Sequence, residues 1–280
     1  MVKGDQEIVM TINKQKIFYL VTIIVVLTGQ ILAVGIWPSV YVHMCKTRTD
    51  DEMTAQIDSN AYILDAAINV IGVSETDYSM SWSAGASGII FERKGNTYYA
   101  LTAYHVIHNG DSRYFRIRTS KTPSRGNYGT DKDREYYATM PVAKVEFENE
   151  AADLAVLSFE SEDELKTAKI SAAPVKKGDR IVVIANVPGE SFFAKKYGKI
   201  RTSRLTDFKA DDYQSTNKVV KHSVYTTEGS SGAAVLNKNM EICGIKIGGS
   251  NDVFGRFKHS VMIPADQIVQ TIDMWGNGKE

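Results

Sequence analysis

The stretch Thr226-Thr227-Glu228-Gly229-Ser230-Ser231-Gly232-Ala233-Ala234 sets a serine between two glycines, after polar residues and ahead of the apolar run Ala234-Val235-Leu236. Glycine on both sides lets the backbone turn sharply and lets another molecule approach closely, because no Cβ stands in the way. Such a turn can aim the backbone N–H groups of Gly229 and Ser231 at one point, where an oxyanion forms if the Ser231 hydroxyl attacks a carbonyl. Surface turns use the same residues, so on its own this stretch also fits an ordinary loop.

Two earlier segments narrow the reading. Leu101-Thr102-Ala103-Tyr104-His105 puts a histidine at the end of an aromatic and β-branched run. Asp153-Leu154-Ala155-Val156-Leu157 puts an aspartate at the mouth of a continuous apolar strand. Serine is a poor nucleophile at neutral pH and needs a base within hydrogen-bond reach. That base needs an acceptor to hold its tautomer and stabilise its cation. His105, Asp153 and Ser231 supply base, orienter and nucleophile, spaced widely enough to fall in different parts of a two-barrel fold.

With those residues in view, the chain resembles the chymotrypsin-fold serine peptidases, and among them the DegP/HtrA-like branch. Leu101-Thr102-Ala103-Tyr104-His105-Val106 is similar to that family's histidine motif, Asp153-Leu154-Ala155-Val156-Leu157 to its aspartate motif, and Gly229-Ser230-Ser231-Gly232 to its serine motif. Ser87-Gly88-Ile89-Ile90, Gly178-Asp179-Arg180-Ile181-Val182-Val183 and Ser260-Val261-Met262-Ile263-Pro264 add secondary matches. The resemblance spans residues 62 to 272. It implies a serine endopeptidase acting on proteins or peptides, with His105, Asp153 and Ser231 as the triad and the N–H groups of Gly229 and Ser231 as the oxyanion hole. It places Tyr225 at the floor of the primary specificity pocket, Gly249 and Ser260 on its walls, and Ile245 to Gly248, with Ile247, on the strand that pairs with substrate backbone. No carboxylate stands at the floor, so a small or medium apolar side chain is expected there in preference to Arg or Lys. A homotrimer is a further implication of the branch. Two departures are Ala233 and Ala234, where a second glycine and a proline are usual. They keep open the alternative of an impaired peptidase fold acting as a membrane-tethered peptide-binding module.

The 280 residues carry 43% hydrophobic side chains, enough for a substantial core. With 33 basic and 33 acidic side chains the formal net charge is zero, and nothing points to nucleic acid as partner. Cys45 and Cys243 are too few for a disulfide scaffold. No cofactor is implied. The pair His105 and His108 invites a metal reading, but no third ligand of fitting spacing accompanies it. Ser230 rivals Ser231 on paper, although the motif sets the attacking serine directly before Gly232.

Residues 1–16 are polar and contain Lys3, Lys14 and Lys16, whereas residues 17–37 carry no formal charge. At about 1.5 Å per residue that stretch reaches roughly 30 Å, the thickness of a bilayer core. Phe18, Tyr19 and Trp37 near its ends suit the interface. A single uncleaved transmembrane anchor is expected, with a cleaved signal peptide as the competing reading. The lysine balance favours a cytoplasmic N-terminus (1–16) and an extracytoplasmic catalytic part. Residues 38–67 read as a spacer with a short helix.

From residue 68 the pattern turns to β, with Gly/Asn/Asp turns such as Lys94-Gly95-Asn96. Six strand-like runs over 68–160 and six more over 175–263 predict an all-β protease domain, 68–275, of two six-stranded antiparallel barrels. A helix over 264–275 would close it. Between histidine and aspartate, residues 119–135 read as a solvated polar loop, in a stretch, 111–135, where Arg and Lys outnumber acids. No room is left before the last residue for the family's peptide-binding PDZ module.

Overall fold

A computed structural model describes residues 14–31, 37–75, 80–82, 85–108, 112, 114–123, 130–187, 193–209, 216–253 and 255–278. The chain divides into two compact units, Met1–Cys45 and Lys46–Glu280. In the first, α1 (Lys14–Ile31) is followed by α2 (Trp37–Lys46). Helix α1 begins on Lys14 and Lys16, so its uncharged part runs only from Ile17 to Ile31, about 22 Å at helical rise. Residues 32–36 of the expected 17–37 span lie outside the described residues. Among those described, no helix is long and apolar enough to cross a membrane.

The second unit opens with α3 (Asp51–Ser59) and α4 (Tyr62–Ala66). Asp50 starts α3, its carboxylate accepting the Met53 N–H at 3.2 Å and satisfying a donor that the first turn leaves unpaired. Met53, Ile57 and Ile63 are buried. At roughly 1.5–3 kcal/mol for each large apolar side chain, this contact tethers the entering chain to the barrels.

The strands β1 (Ala67–Glu75), β2 (Met80–Trp82), β3 (Ala86–Lys94) and β4 (Thr97–Thr102) lead to a single helical turn, α5 (Tyr104–His108). Then follow β5 (Tyr114–Arg118), α6 (Thr130–Ala138), β6 (Val142–Asn149) and β7 (Leu154–Glu160). Their order is β2-β1-β3-β4-β7-β6-β5, and β1 also pairs with β5, so six strands return on themselves with β2 beside β1. The remaining strands are β8 (Arg180–Ala185), β9 (Ala194–Lys209), β10 (Thr216–His222), β11 (Ala234–Leu236), β12 (Ile242–Asn251) and β13 (Phe257–Pro264). They form a closed barrel in the order β10-β13-β12-β11-β8-β9. Helix α7 (Ala265–Asn277) ends the described chain, a turn's fraction beyond the expected residue 275.

The apolar run Leu154 to Phe159 is explained by two faces, both covered. Leu157 and Phe159 fill the first barrel with Ile68, Ile90, Tyr98 and Ile117. Leu154 and Val156 face a shared core with Val182, Leu236, Ile245, Ile263, Ile268 and Trp275. That shared core holds barrels and α7 in register, and Trp275 packs against Tyr99 with ring centres 4.9 Å apart.

His222, at the end of β10, is fully buried, and its Nε2 has no hydrogen-bond partner. Burial, helped by the nearby charges of Lys246, His259 and Arg201, pushes its pKa down to about 3. The folded state therefore holds His222 neutral, while the unfolded chain takes up a proton below its ordinary value of about 6.5. Stability is fully present above that value and is lost as pH falls toward 3. Between pH 7 and pH 5 this group should cost the wild type about 2 kcal/mol, read from urea midpoints. His222→Leu should remove about that much of the pH dependence.

Candidate active site

Asp153 reaches its position through a turn that β7 alone would not provide. A 3-10 turn over Glu150–Ala152 is capped by Asn149, whose side-chain oxygen accepts the Ala152 N–H at 3.1 Å. Asp153 then adopts φ 50°, a left-handed conformation that a short polar side chain tolerates better than most. Two outside groups hold the turn. The Asn149 amide donates to Thr271 Oγ1 of α7 at 2.9 Å, and Asn217 of β10 donates to the Ala151 carbonyl at 2.9 Å.

The Asp153 carboxylate is completely buried and is occupied by one residue from two directions. Its Oδ1 accepts the main-chain N–H of His105 at 2.9 Å, satisfying a donor at the start of α5. Its two oxygens stand 3.0 and 2.9 Å from His105 Nδ1. A carboxylate facing a ring nitrogen at that distance requires Nδ1 to carry the hydrogen. Backbone and ring of His105 are thus fixed together.

The serine turn joins β10 to β11. Gly229 and Gly232 lie at φ +82° and +80°. A Cβ on Gly232 would stand 2.1 Å from the Ser87 carbonyl oxygen and 2.3 Å from Thr102 Oγ1, so the turn packs directly on the first barrel. The Gly232 N–H donates to the Lys246 carbonyl and the Lys246 N–H to the Ala233 carbonyl, at 2.8 and 2.9 Å. Ser230 is fully buried and its hydroxyl is bound to the Thr227 carbonyl, whereas Ser231 lines an open cleft. Ala233 and Ala234 are buried, each in a different apolar core.

His105, Gly229, Ser231, Ile247 and Gly249 line one cleft of about 840 Å³ at the junction of the barrels. Asp153 lies beneath it. Strand β11 pairs with β12 only as far as Ile245, which leaves the cleft-facing edge of 247–251 unoccupied by a described strand. Tyr225 and Ser260 are not among the lining residues. Tyr225 packs edge-on against Phe257 with Lys46 over its ring, and the Ser260 hydroxyl donates to the Val224 carbonyl at 2.9 Å. His108 is turned away, its Nε2 3.2 Å from Glu148, and no group of three His, Cys, Asp or Glu among the described residues could hold a metal ion.

Sequence reasoning passed over Phe208 and Lys246. Phe208, from the far end of β9, lies where a Cβ on Gly248 would come within 2.7 Å of its ring. The Lys246 side chain is 6% exposed, and burial pulls its pKa down to about 8 against the opposing attraction of Asp153. No local pattern in the sequence marks either side chain as part of the cleft lining.

The family model for a trypsin-like peptidase domain matches residues 86–245. Among solved structures the chain is similar to Rv3671c from M. tuberculosis, a serine-to-alanine mutant in its inactive form, with TM-score 0.55 and 14% identity over 80% of this chain and 92% of that one. It is also similar to the HtrA-type protease AlgW, carrying a serine-to-alanine change and bound to a decapeptide, with TM-score 0.58 and 15% identity over 80% of this chain and 67% of that one. At those identities the likeness is one of fold. Comparison with curated protein sequences gives no match.

Gly232→Ala tests the packing of the turn. Left-handed strain and two sub-contact distances together should cost about 2–4 kcal/mol in urea unfolding. A cost below about 1 kcal/mol would mean that the turn does not sit against Ser87 and Thr102.

Proposed function

This chain belongs to the trypsin-like peptidase family and is a serine endopeptidase, and on that premise we propose that His105, Asp153 and Ser231 are its catalytic triad. The observation that carries the reading is the doubly fixed His105–Asp153 pair, sharing a cleft edge with a serine whose neighbour Ser230 is tied away. Asp153 holds the proton on Nδ1, so Nε2 is the nitrogen that takes the Ser231 proton as Oγ attacks the scissile carbonyl. The tetrahedral oxyanion is received by the N–H groups of Gly229 and Ser231. His105 then gives its proton to the departing amine, and a water molecule, activated by the same ring, releases the acyl group from Ser231.

The substrate strand adds to the open edge of β12 at Ile247 to Gly249, pairing through main-chain hydrogen bonds. We further propose that residues 17–37 attach the chain to a membrane with the catalytic unit on the extracytoplasmic side. Support comes from the uncharged sequence and from α1, whose side chains from Phe18 to Leu27 are all exposed although mostly apolar, an arrangement that is unfavourable in water. Protein quality control or regulated processing at that membrane suits such an enzyme.

Ser231→Ala should reduce casein hydrolysis at least about 10⁴-fold with unfolding unchanged, and Asp153→Asn by about 10⁴-fold through the wrong histidine tautomer. Full activity in Ser231→Ala would sink the assignment. In membrane fractions, the full chain should resist extraction by alkaline carbonate. Its quantitative release there would remove the anchor from the account.

A further inference from the structure

Four hydrogen bonds converge on Ser87, a buried residue at the start of β3. Its hydroxyl donates to the Gly229 carbonyl at 2.8 Å and accepts the Asn186 N–H at 2.9 Å. Its main-chain N–H donates to the Ser231 carbonyl at 2.8 Å, and its own carbonyl accepts the Thr102 hydroxyl at 2.8 Å. The four partners come from three segments. Gly229 and Ser231 form the serine turn, Asn186 follows β8, and Thr102 ends the strand that delivers His105. One residue of the first barrel therefore bonds to the serine turn, to the segment after β8 and to the end of the strand that delivers His105.

The hydroxyl bond matters most because of what it fixes. A peptide unit is planar, so anchoring its C=O and its N–H leaves it no freedom to rotate. In the unit joining Gly229 to Ser230, the C=O is held by Ser87, while the N–H reaches the Thr227 carbonyl at a long 3.3 Å. The preceding unit carries the Gly229 N–H, and its direction follows from the anchored plane and the Gly229 φ of +82°. Glycine is the residue freest to swing when an anchor is lost. We propose that Ser87 is a positioning residue for the oxyanion-binding turn, its hydroxyl pinning the Gly229 carbonyl so that the Gly229 N–H points into the cleft. This rests on Gly229 and Ser231 being the oxyanion donors. Asn186 makes the pin directional, because its N–H occupies a lone pair of the hydroxyl and leaves the hydrogen to Gly229.

The test uses the full chain and an alkyl fluorophosphonate, whose reaction with a serine develops negative charge on the phosphoryl oxygen. Saturation kinetics give a binding constant and a maximal inactivation rate. Losing an oxyanion donor outright costs about 10²–10³ in rate, so misaiming it in Ser87→Ala should lower the inactivation rate about 10–100-fold and leave the binding constant within about threefold. Ser87→Thr, which keeps the hydroxyl, should recover the rate to within about fivefold of the parent, a pattern that general loosening of the fold would not give. An inactivation rate for folded Ser87→Ala within about threefold of the parent would overturn the role, as would a loss that Ser87→Thr fails to restore. If Ser87→Ala does not fold, Ser87→Cys, close in volume with a weak donor, is judged by the same two constants. Ser231→Ala separates the two levels. If it still reacts, the triad reading fails; if it is inert while Ser87→Ala reacts normally, only the Ser87 role fails.

Discussion

A carboxylate sealed from water must be hydrogen-bonded, and in this protein one histidine bonds Asp153 through both its main-chain N–H and its ring. The main-chain N–H and the ring of His105 converge on the same group, so the position of α5 and the rotamer of its key side chain are one constraint. The chain supports that constraint from outside. Asn149 and Thr271 link the aspartate turn to the C-terminal helix, and Asn217 links it to the second barrel. An isolated exposed His–Asp pair would contribute little, whereas this one is held by a frame that resists reorganisation.

The second half of the site arrives by a different route. Ser231 comes from the second barrel, yet its turn is seated on the first, with the Ser231 carbonyl on the Ser87 N–H and Gly232 against Thr102. Main-chain bonds from Lys246 fasten the far side of the same turn to β12, the strand whose exposed edge runs along the cleft. Ser231, His105 and the open edge of β12 are therefore referenced to one another through backbone geometry. Ala233 and Ala234, which follow the turn, are buried in two different apolar cores.

Much of this was legible in the residues. Strands β3, β4, β5, β7 and β8 are marked by apolar or alternating runs between Gly and Asn turns. Where the signal failed, the physics explains it. Helix α6 begins inside the stretch expected to be a polar loop and runs three residues past it, and Thr130 to Ala138 has no apolar stripe to reveal it. Strand β9 runs on to Lys209, and its last residues pair only with β10 and are mostly exposed, so little apolar patterning marks them. The apolar run at the N-terminus was read as one span, but helix start and run start differ by the lysines at 14 and 16. In the site, three motifs gave His105, Asp153 and Ser231, while Ser87 stood in a noted Ser-Gly pair whose hydrogen bonds no sequence pattern encodes. Contacts across more than a hundred residues become visible only once both barrels close.

The central claim is that this framework makes one alcohol reactive. Tandem mass spectrometry of the folded full chain after fluorophosphonate treatment tests it most directly. A single adduct on Ser231, absent when His105 is replaced by alanine, is the predicted result. An unmodified protein, or an adduct on Ser230 or any other residue in its place, would contradict the account.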